Sequence, residues 1–224
     1  MIRAIVFDFD GVIANSEPLH FRAFRDVLAE RGIALAEQDY YDRYLGFDDV
    51  GAFEAIGRDR AVALTEREVA DLTAAKALRM EVLERDGSVL FPGAKEAITR
   101  MVTFGPTAIA SGAIRAEILR VLEHEGLVHA FRAIVGAEDA PRSKPAPDPY
   151  LRAVELMAQT IDPPLQASEC AAIEDSRWGV ESARAAGLRV IGVTHTYPSD
   201  ALPGTDAVID HLDQLTPALL ATLR

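Results

Sequence analysis

The feature that most constrains the fold is an alternation of two kinds of segment that begins near residue 94. Predicted helices occupy residues 94–104, 114–124, 147–160 and 177–186, and predicted strands occupy residues 106–110, 132–136, 170–174 and 189–193. Strands and helices that alternate at these lengths form βαβ units, in which a parallel sheet carries helices on both faces. A further, largely apolar run from Arg3 to Phe9 is predicted to be a buried parallel strand. The sequence therefore predicts an α/β fold with a doubly wound parallel sheet.

An all-helical block separates this first strand from the alternating pattern. Helices are predicted from Glu17 to a stop at Gly32, and over Glu37–Tyr44, Asp49–Ile56 and Glu66–Glu84. One face of the longest helix is predicted to carry an apolar stripe of Val69, Leu72, Ala75, Leu78 and Val82. We therefore expect two domains. Residues 1–14 and 88–224 would form an α/β core domain with the functional site, and residues 15–87 would form a helical cap domain.

The position of the helical block in the chain indicates a lid. Because the block follows the first strand, we expect it to lie over the carboxyl ends of the strands, where folds of this kind bind ligands. The chain crosses between the two domains near Ala14 and near Gly87, and we predict that these two crossings are the hinges.

Charge and composition narrow the range of partners. The chain has 224 residues, a net charge of −12 and a pI of about 4.8, and a surface of this kind repels nucleic acid. No apolar run reaches the length of a membrane span, and the apolar stretch at the N-terminus is too short for a signal peptide. The single cysteine, Cys170, cannot form an internal disulfide, which fits a reducing compartment. We expect a cytoplasmic protein that binds neither nucleic acid nor membranes.

Two pairs of acidic residues follow predicted strands. Asp8 and Asp10 leave the first strand, and Glu174 and Asp175 end a later one. Each pair by itself is also typical of a strand-terminating turn or of a helix cap. Charged groups at the ends of buried strands are costly unless something pairs with them, and a hard cation prefers oxygen ligands. Because both pairs end on the same face of one sheet, we predict that together they form a Mg²⁺ site.

Other residues are predicted near the same edge of the sheet. Ser111 and Gly112 lie between a strand and a helix, where N–H groups and the helix dipole can hold a phosphate. Lys144 lies on a stiff, proline-rich segment just before a helix, and His195 follows the last predicted strand, which would place it near the site. A plain capping serine and a solvated loop lysine are the alternative interpretations of Ser111 and Lys144.

In this order and on these elements, the four clusters resemble the four motifs of the haloacid dehalogenase-like hydrolases. The matching segments are Asp8-Phe9-Asp10-Gly11, the strand-end Ser111, Lys144-Pro145-Ala146-Pro147-Asp148 and Glu174-Asp175-Ser176. The resemblance covers nearly the whole chain, and the helical insert looks like the smaller helical cap of that family. Within the family, the chain is similar to the branch of β-phosphoglucomutases and sugar-phosphate phosphatases. The segments that carry this likeness are Asp8-Phe9-Asp10-Gly11-Val12-Ile13, Ser16-Glu17-Pro18-Leu19-His20 and Glu174-Asp175-Ser176-Arg177-Trp178-Gly179. The resemblance implies a Rossmann-type core and an enzyme that transfers phosphoryl groups.

The resemblance also implies a role for each residue at the phosphoryl group. Asp8 would attack phosphorus and form an aspartyl phosphate, which divides one difficult displacement into two easier ones. Asp10 would protonate the departing alkoxide and then activate water. Ser111, with Gly112, and Lys144 would bind the oxygens of the phosphoryl group that is transferred.

The cofactor that the resemblance implies is Mg²⁺. The ion would be held by the carboxylates of Asp8 and Asp175 and by the backbone carbonyl of Asp10. Glu174 would either bind the ion directly or lie just behind its ligands. The ion would orient the phosphoryl group and screen the repulsion between Asp8 and an anionic substrate.

Two residues of the predicted cap match substrate-contacting residues of the mutase branch. His20 matches a histidine that helps the general acid, and Lys76 matches a lysine that contacts the substrate. Packing inside the cap is the alternative for both. The segment Leu45-Gly46-Phe47-Asp48-Asp49 is acidic where the mutases have a basic residue for a distal phosphate. A second phosphate would be poorly held there, which favours a phosphatase over a mutase.

Four functions compete for this set of motifs. The leading hypothesis is a phosphatase that acts on a small phosphorylated metabolite, as a monomer or a small homo-oligomer. The alternative is a β-phosphoglucomutase-like isomerase. A dehalogenase is disfavoured because the dehalogenases of the family use no metal, whereas Glu174 and Asp175 argue for one. A non-enzymatic binding protein is disfavoured because it has no need of the paired acids Asp8 and Asp10.

Overall fold

Six parallel strands form one sheet in the α/β part of the chain. The computed structural model describes residues 1–45, 47, 49–85 and 88–223. In chain order, the strands are β1 (Ala4–Phe7), β2 (Thr107–Ala110), β3 (Ala133–Val135), β4 (Cys170–Glu174), β5 (Arg189–Val193) and β6 (Ala207–Ile209). Their order in the sheet is β3-β2-β1-β4-β5-β6, and every neighbouring pair is parallel. The predicted α/β fold with a parallel sheet is confirmed.

The helices lie close to the predicted positions. They are α1 (Glu17–Ala29), α2 (Glu37–Arg43), α3 (Asp49–Asp59), α4 (Glu66–Arg85), α5 (Ala94–Phe104), α6 (Arg115–Glu125), α7 (Asp148–Ala158), α8 (Arg177–Ala185) and α9 (Pro217–Thr222). The sequence pattern predicts neither β6 nor α9. Both are short, with three and six residues, so that the hydrophobic period has too few repeats to be recognised.

Helices cover both faces of the sheet because its strands are apolar on both faces. In β1, Ile5 and Phe7 belong to one hydrophobic core, and Ala4 and Val6 belong to the core on the opposite face. The first core includes α5, α6 and α9, and the second includes α7 and α8. The strand order reverses between β1 and β4. In a doubly wound sheet, ligands bind beyond the carboxyl ends of the strands at such a point.

The chain divides into two compact units. The α/β unit consists of Met1–Asn15 and Val89–Arg224, and the helical unit consists of Ser16–Ser88. Gly87, one of the two predicted hinges, lies outside the described residues. None of the described helices combines the length and the apolar character needed to cross a membrane.

The two chain segments that border the helical unit pair with each other inside the α/β unit. Ala14 forms an antiparallel bridge with Leu90. The N–H of Asn15 donates to the carbonyl of Val89 at 2.7 Å, and the N–H of Phe91 donates to the carbonyl of Ile13 at 2.9 Å. The turn that follows β1 is therefore tied by backbone hydrogen bonds to the segment that leads into α5.

The buried face of α4, in the helical unit, differs from the predicted stripe. Its buried residues are Val69, Leu72, Lys76, Met80 and Leu83. Leu78 and Val82 are 65% and 47% exposed, so this part of the prediction is wrong. The buried residues follow the helical spacing of three and four only when Lys76 is counted among them. A charged residue is normally left out of an apolar stripe, and this shifted the predicted face.

Candidate active site

Carboxylates at the ends of β1 and β4 meet at the carboxyl edge of the sheet. The two strands are paired along their length, with Phe7 opposite Ile173. Asp8 from β1 and Glu174 and Asp175 from β4 therefore emerge side by side. Each offers a carboxylate oxygen within 4.8 Å of those of the other two, and all three residues are buried. The structure thus brings together three of the four acids that the sequence singles out.

Lys144 reaches into this cluster from the segment that precedes α7. Its Nζ lies 2.9 Å from Oδ1 of Asp8 and 2.7 Å from Oε1 of Glu174, and its side chain is only 12% exposed. The hydroxyl of Tyr150, on α7, donates to the same oxygen of Glu174 at 2.6 Å. Burial lowers the pKa of Lys144, but the carboxylates of Asp8 and Glu174 outweigh burial and raise it. Lys144 is therefore a fixed, buried ammonium group and not a solvated loop lysine.

The cluster carries an excess of negative charge. Burial raises the pKa of Asp8 well above its usual range, and Glu174 adds to the rise while Lys144 opposes it. Burial, followed by the charge of Glu174, raises the pKa of Asp175 to about 7. When all three acids are ionised, the ammonium group of Lys144 offsets only one of their charges. Buried oxygen donors with excess negative charge fit a hard divalent cation such as Mg²⁺.

Two glycines make room for the acids. Gly11 has a φ of +76°, and a Cβ at this position would lie 2.0 Å from Oδ2 of Asp175. Gly179, in the first turn of α8, packs against Glu174, and an added Cβ would lie 1.9 Å from its Oε1. The two acids thus occupy space that a side chain at either position would fill. The role of Gly179 is visible only in the packing of α8 on β4 and not in the sequence pattern.

The other predicted residues of the α/β unit lie along the same edge. Ser111 is buried and directly follows β2, which pairs with β1 on the side opposite to β4. Its Oγ accepts a hydrogen bond from the N–H of Ala113 at 3.0 Å. Because α6 begins only at Arg115, Ser111 is not the cap of that helix. Gly112 is exposed, with nothing within 4 Å of an added Cβ. Asp10 lies in the turn after β1, where it takes part in a backbone bridge.

Tyr150 and Thr196 are contacts of the acids that the sequence analysis misses. Thr196, in the loop after β5, hydrogen-bonds through its hydroxyl to Asp175. The position of Thr196 could have been predicted from the sequence, because a polar residue that follows a strand is expected at the same carboxyl edge as the acids. Tyr150 could not be predicted in this way, since it lies inside the first turns of a helix. His195, in the same loop as Thr196, places Nδ1 at 3.1 Å from the carbonyl oxygen of Gly11.

In the helical unit, His20 and Lys76 contact each other. Nζ of Lys76 lies 2.8 Å from Nδ1 of His20 and 2.5 Å from Oδ1 of Asp49. Burial, followed by the charge of Lys76, lowers the pKa of His20 to about 3, so that its ring is neutral at pH 7 and can accept a hydrogen bond. Within the acidic segment 45–49, Gly46 and Asp48 lie outside the described residues, and Asp49 is the ion-pair partner of Lys76.

Known proteins resemble the chain over most of its length. A family model described as haloacid dehalogenase-like hydrolase matches residues 2–187. Fructose-1-phosphate phosphatase YqaB of Escherichia coli (strain K12) is 30% identical over 198 residues, which cover 84% of this chain and 95% of that protein. The crystal structure of CbbY from Rhodobacter sphaeroides in complex with phosphate matches with a TM-score of 0.82 at 25% identity. That match covers 99% of this chain and 100% of the other.

A longer plant protein contains a similar segment. Protein SUPPRESSOR OF QUENCHING 1, chloroplastic, of Arabidopsis thaliana is 34% identical over 202 residues. The match covers 87% of this chain but only 18% of the plant protein. The similarity to that protein therefore concerns one part of it.

Proposed function

The chain belongs to the haloacid dehalogenase-like hydrolase family and is a phosphoric monoester hydrolase, and we propose that it uses Mg²⁺ and an aspartyl-phosphate intermediate to hydrolyse a small sugar phosphate or a similar metabolite. The observation that carries the proposal is the carboxylate of Asp8, which is buried against Lys144 and the acids of β4. A carboxylate can attack an anionic phosphoryl group when positive charges beside it offset the repulsion. The name of the E. coli relative, a fructose-1-phosphate phosphatase, supports a sugar phosphate as the substrate.

Asp8 and Asp10 are proposed to carry out the two chemical steps. In the first step, an oxygen of Asp8 bonds to phosphorus while the bond between phosphorus and the ester oxygen breaks. Asp10 gives its proton to that oxygen, so the product leaves as an alcohol. In the second step, Asp10 takes a proton from water as the water oxygen bonds to phosphorus. The bond to Asp8 breaks, which releases inorganic phosphate and restores the carboxylate.

Lys144 and Ser111, with the N–H groups around Gly112, are proposed to bind the phosphoryl oxygens. Negative charge is spread over these oxygens in the transition state and is stabilised by donors that are already in place. Lys144 meets this requirement because its ammonium group is held by two carboxylates in a buried setting. Ser111 follows β2, the strand that pairs with β1. This position supports Ser111 as a donor on the side of Asp8 that faces away from the acids of β4.

The residues proposed to hold Mg²⁺ are Asp8, Asp175 and the backbone carbonyl of Asp10. When bound, the ion would offset charge on the phosphoryl oxygens and orient them toward the nucleophile. Glu174 already accepts hydrogen bonds from Lys144 and from two hydroxyl groups. We therefore propose that Glu174 acts mainly by fixing Lys144 and lies behind the metal ligands.

The helical unit is proposed to act as a cap, with His20 and Lys76 in contact with the substrate. Within the helical unit, the carboxylate of Asp49 offsets the charge of Lys76. A neutralised lysine is a poor partner for a second phosphate group, which a mutase must hold. This pairing favours a phosphatase over the alternative, a β-phosphoglucomutase-like isomerase that returns the phosphoryl group to its substrate.

Phosphate release from a panel of esters tests the proposed function. The panel would contain several sugar phosphates and p-nitrophenyl phosphate, assayed with Mg²⁺, with EDTA, and with EDTA followed by excess Mg²⁺. We expect release that EDTA removes and that Mg²⁺ restores, because the acid cluster needs a cation to accept an anionic ester. If the folded protein released no phosphate but interconverted sugar phosphates when a sugar bisphosphate was added, the phosphatase proposal would be replaced by the mutase.

Gly11→Ala is expected to weaken metal binding far more than folding. The added Cβ would lie 2.0 Å from Oδ2 of Asp175, so the carboxylate must move. Disturbing the surroundings of a metal ligand typically costs about 10- to 100-fold in affinity. We expect the Mg²⁺ concentration for half-maximal phosphate release to rise by a similar factor.

Gly32→Ala is the matched control for this substitution. Gly32 has a φ of +71°, close to that of Gly11, but nothing lies within 4 Å of an added Cβ. Both variants therefore carry a left-handed strain of about 1–2 kcal/mol, and only Gly11→Ala displaces an acid. Equal Mg²⁺ requirements in the two variants and the parent would contradict the assignment of Asp175 as a metal ligand.

A further inference from the structure

The loop after β5 is anchored at its start to the neighbouring strand. The N–H of Thr194 donates to the carbonyl of Ile209, at the end of β6, at 3.0 Å. The hydroxyl of Thr194 donates to Oδ1 of Asp210, also at 3.0 Å. The next two residues, His195 and Thr196, therefore extend from a fixed base. Both contact the surroundings of the acid cluster.

His195 contacts two segments that surround the turn after β1. Its Nδ1 lies 3.1 Å from the carbonyl oxygen of Gly11, and because a carbonyl can only accept, the hydrogen must be on Nδ1. Its ring stacks on Phe91, with centroids 3.9 Å apart and an interplanar angle of 20°. The N–H of Phe91 donates in turn to Ile13, in the same turn as Gly11. His195 therefore supports this turn directly through Gly11 and indirectly through Phe91.

The turn itself leaves the Gly11 carbonyl to be oriented from outside. The N–H of Gly11 donates to the carbonyl of Ala14 at 2.9 Å, and the N–H groups of Ile13 and Ala14 donate to the carbonyl of Phe9 at 2.8 and 2.9 Å. The carbonyl of Gly11 points instead to His195. Glycine has more backbone freedom than any other residue, so the hydrogen bond from His195 helps to fix the orientation of this carbonyl. Asp10 directly precedes Gly11, and its side chain is carried by the same turn.

We propose that His195 is a positioning residue that holds the turn after β1 so that Asp10 meets the oxygen of the leaving group. The inference rests on the proposed function, because it assigns His195 to the step in which Asp10 acts as the acid. Thr196 has a different partner, Asp175, and so is assigned to the metal site. The two neighbouring residues of one loop would then support two different parts of the mechanism.

The chemistry of the leaving group separates positioning of Asp10 from general support of the fold. A sugar alkoxide needs a proton as it departs, whereas nitrophenolate is stable enough to leave without one. The ratio kcat/KM covers the steps up to transfer of the phosphoryl group to Asp8, the half-reaction in which the acid works. A displaced Asp10 should therefore lower kcat/KM for the sugar ester and spare the aryl ester. A damaged fold or metal site should lower both.

Three variants of the whole 224-residue chain test the proposal with saturating Mg²⁺. His195→Phe keeps a ring that can stack on Phe91 but lacks the donor, and His195→Asn supplies an amide donor near the position of Nδ1. His129→Phe is the control. His129 is exposed and precedes β3, so it lies toward the amino ends of the strands, whereas the acid cluster lies at their carboxyl ends. The substrates are the sugar phosphate that the parent hydrolyses best and p-nitrophenyl phosphate.

We expect His195→Phe to lower kcat/KM for the sugar phosphate about tenfold, a part of the 10²- to 10⁴-fold contribution of a general acid, and to leave the aryl ester within about twofold. His195→Asn should recover most of the loss, and His129→Phe should match the parent. Equal losses on both esters, or no loss on either, would overturn the proposal while leaving the phosphatase function intact. A parent protein that hydrolyses neither ester would instead contradict the proposed function, and this inference with it.

Discussion

Asp8→Asn is expected to lower kcat for phosphate release by a factor on the order of 10⁴ or more, because the amide cannot act as the nucleophile. The substitution should not lower the stability of the folded protein. Burial raises the pKa of Asp8, so ionisation of this carboxyl is less favourable in the folded protein than in the unfolded chain, and the cost in stability grows as the pH rises from the ordinary pKa toward the raised one. An asparagine keeps an oxygen that can accept the N–H of Phe9, now 2.7 Å from Oδ1. We therefore expect the melting temperature, measured without metal, to stay the same or to rise.

Asp71→Asn provides the control for the loss of a carboxylate. Asp71 is exposed on α4, and its replacement should change neither the activity nor the melting temperature. Phosphate release from the sugar ester would be measured with both variants and the parent at the same Mg²⁺ concentration. Activity of Asp8→Asn within tenfold of the parent would mean that another group attacks phosphorus, and the mechanism proposed here would be wrong.

Lys144→Met is expected to reduce both activity and stability. Methionine fills a similar volume but leaves the carboxylates of Asp8 and Glu174 without the ammonium group that lies within 3 Å of each. Removing one partner of a buried ion pair typically costs about 3–5 kcal/mol, and we expect a loss of this size in the free energy of unfolding without metal. Loss of a positioned cation at the phosphoryl oxygens should lower kcat about 10²- to 10³-fold.

Lys95→Met is the matched control for Lys144→Met. The side chain of Lys95 is 53% exposed, and its Nζ donates to the carbonyl of Glu125 at 2.8 Å and lies 3.9 Å from Oε2 of the same residue, whose side chain is 11% exposed. An exposed lysine with one hydrogen bond and one long ion pair contributes about 1–2 kcal/mol at most, so this variant should lose much less stability than Lys144→Met and should react like the parent. Urea denaturation of each variant and of the parent, in EDTA and in Mg²⁺, would measure the free energy of unfolding. Mg²⁺ should restore part of the stability lost in Lys144→Met, because it binds the same carboxylates in the folded state. Indistinguishable unfolding of the two variants would show that Lys144 does not offset the buried acids.

The main elements of the α/β unit could be predicted because their apolar patterns extend through whole segments. The strand β4 is buried along its full length, and its observed bounds equal the predicted range 170–174. The strand β6 could not be predicted in the same way. It has three residues at the edge of the sheet, and its central residue, Val208, is exposed. A short edge strand that contacts water on one side lacks the continuous apolar run of a buried parallel strand.

The buried face of α4 shows where a pattern along one helix fails. Lys76 lies among the buried residues of this helix, because Asp49 and His20 provide polar partners for its ammonium group. Those partners are 27 and 56 residues away along the chain. A buried charge is tolerated only when such partners are present, and hydrophobic periodicity carries no information about them.

The sequence by itself determined which acids reach one edge of the sheet. Strand direction places Asp8 and Asp175 at carboxyl ends, and the alternating pattern makes those ends coincide. Only the tertiary structure decided which groups surround them: Tyr150 behind Glu174, Thr196 on Asp175, and His195 on a turn 184 residues earlier in the chain. The physical reason is the range of the interactions. Local apolar patterns decide which segments become strands and helices, whereas the partners of a buried polar group depend on which distant segments pack against it.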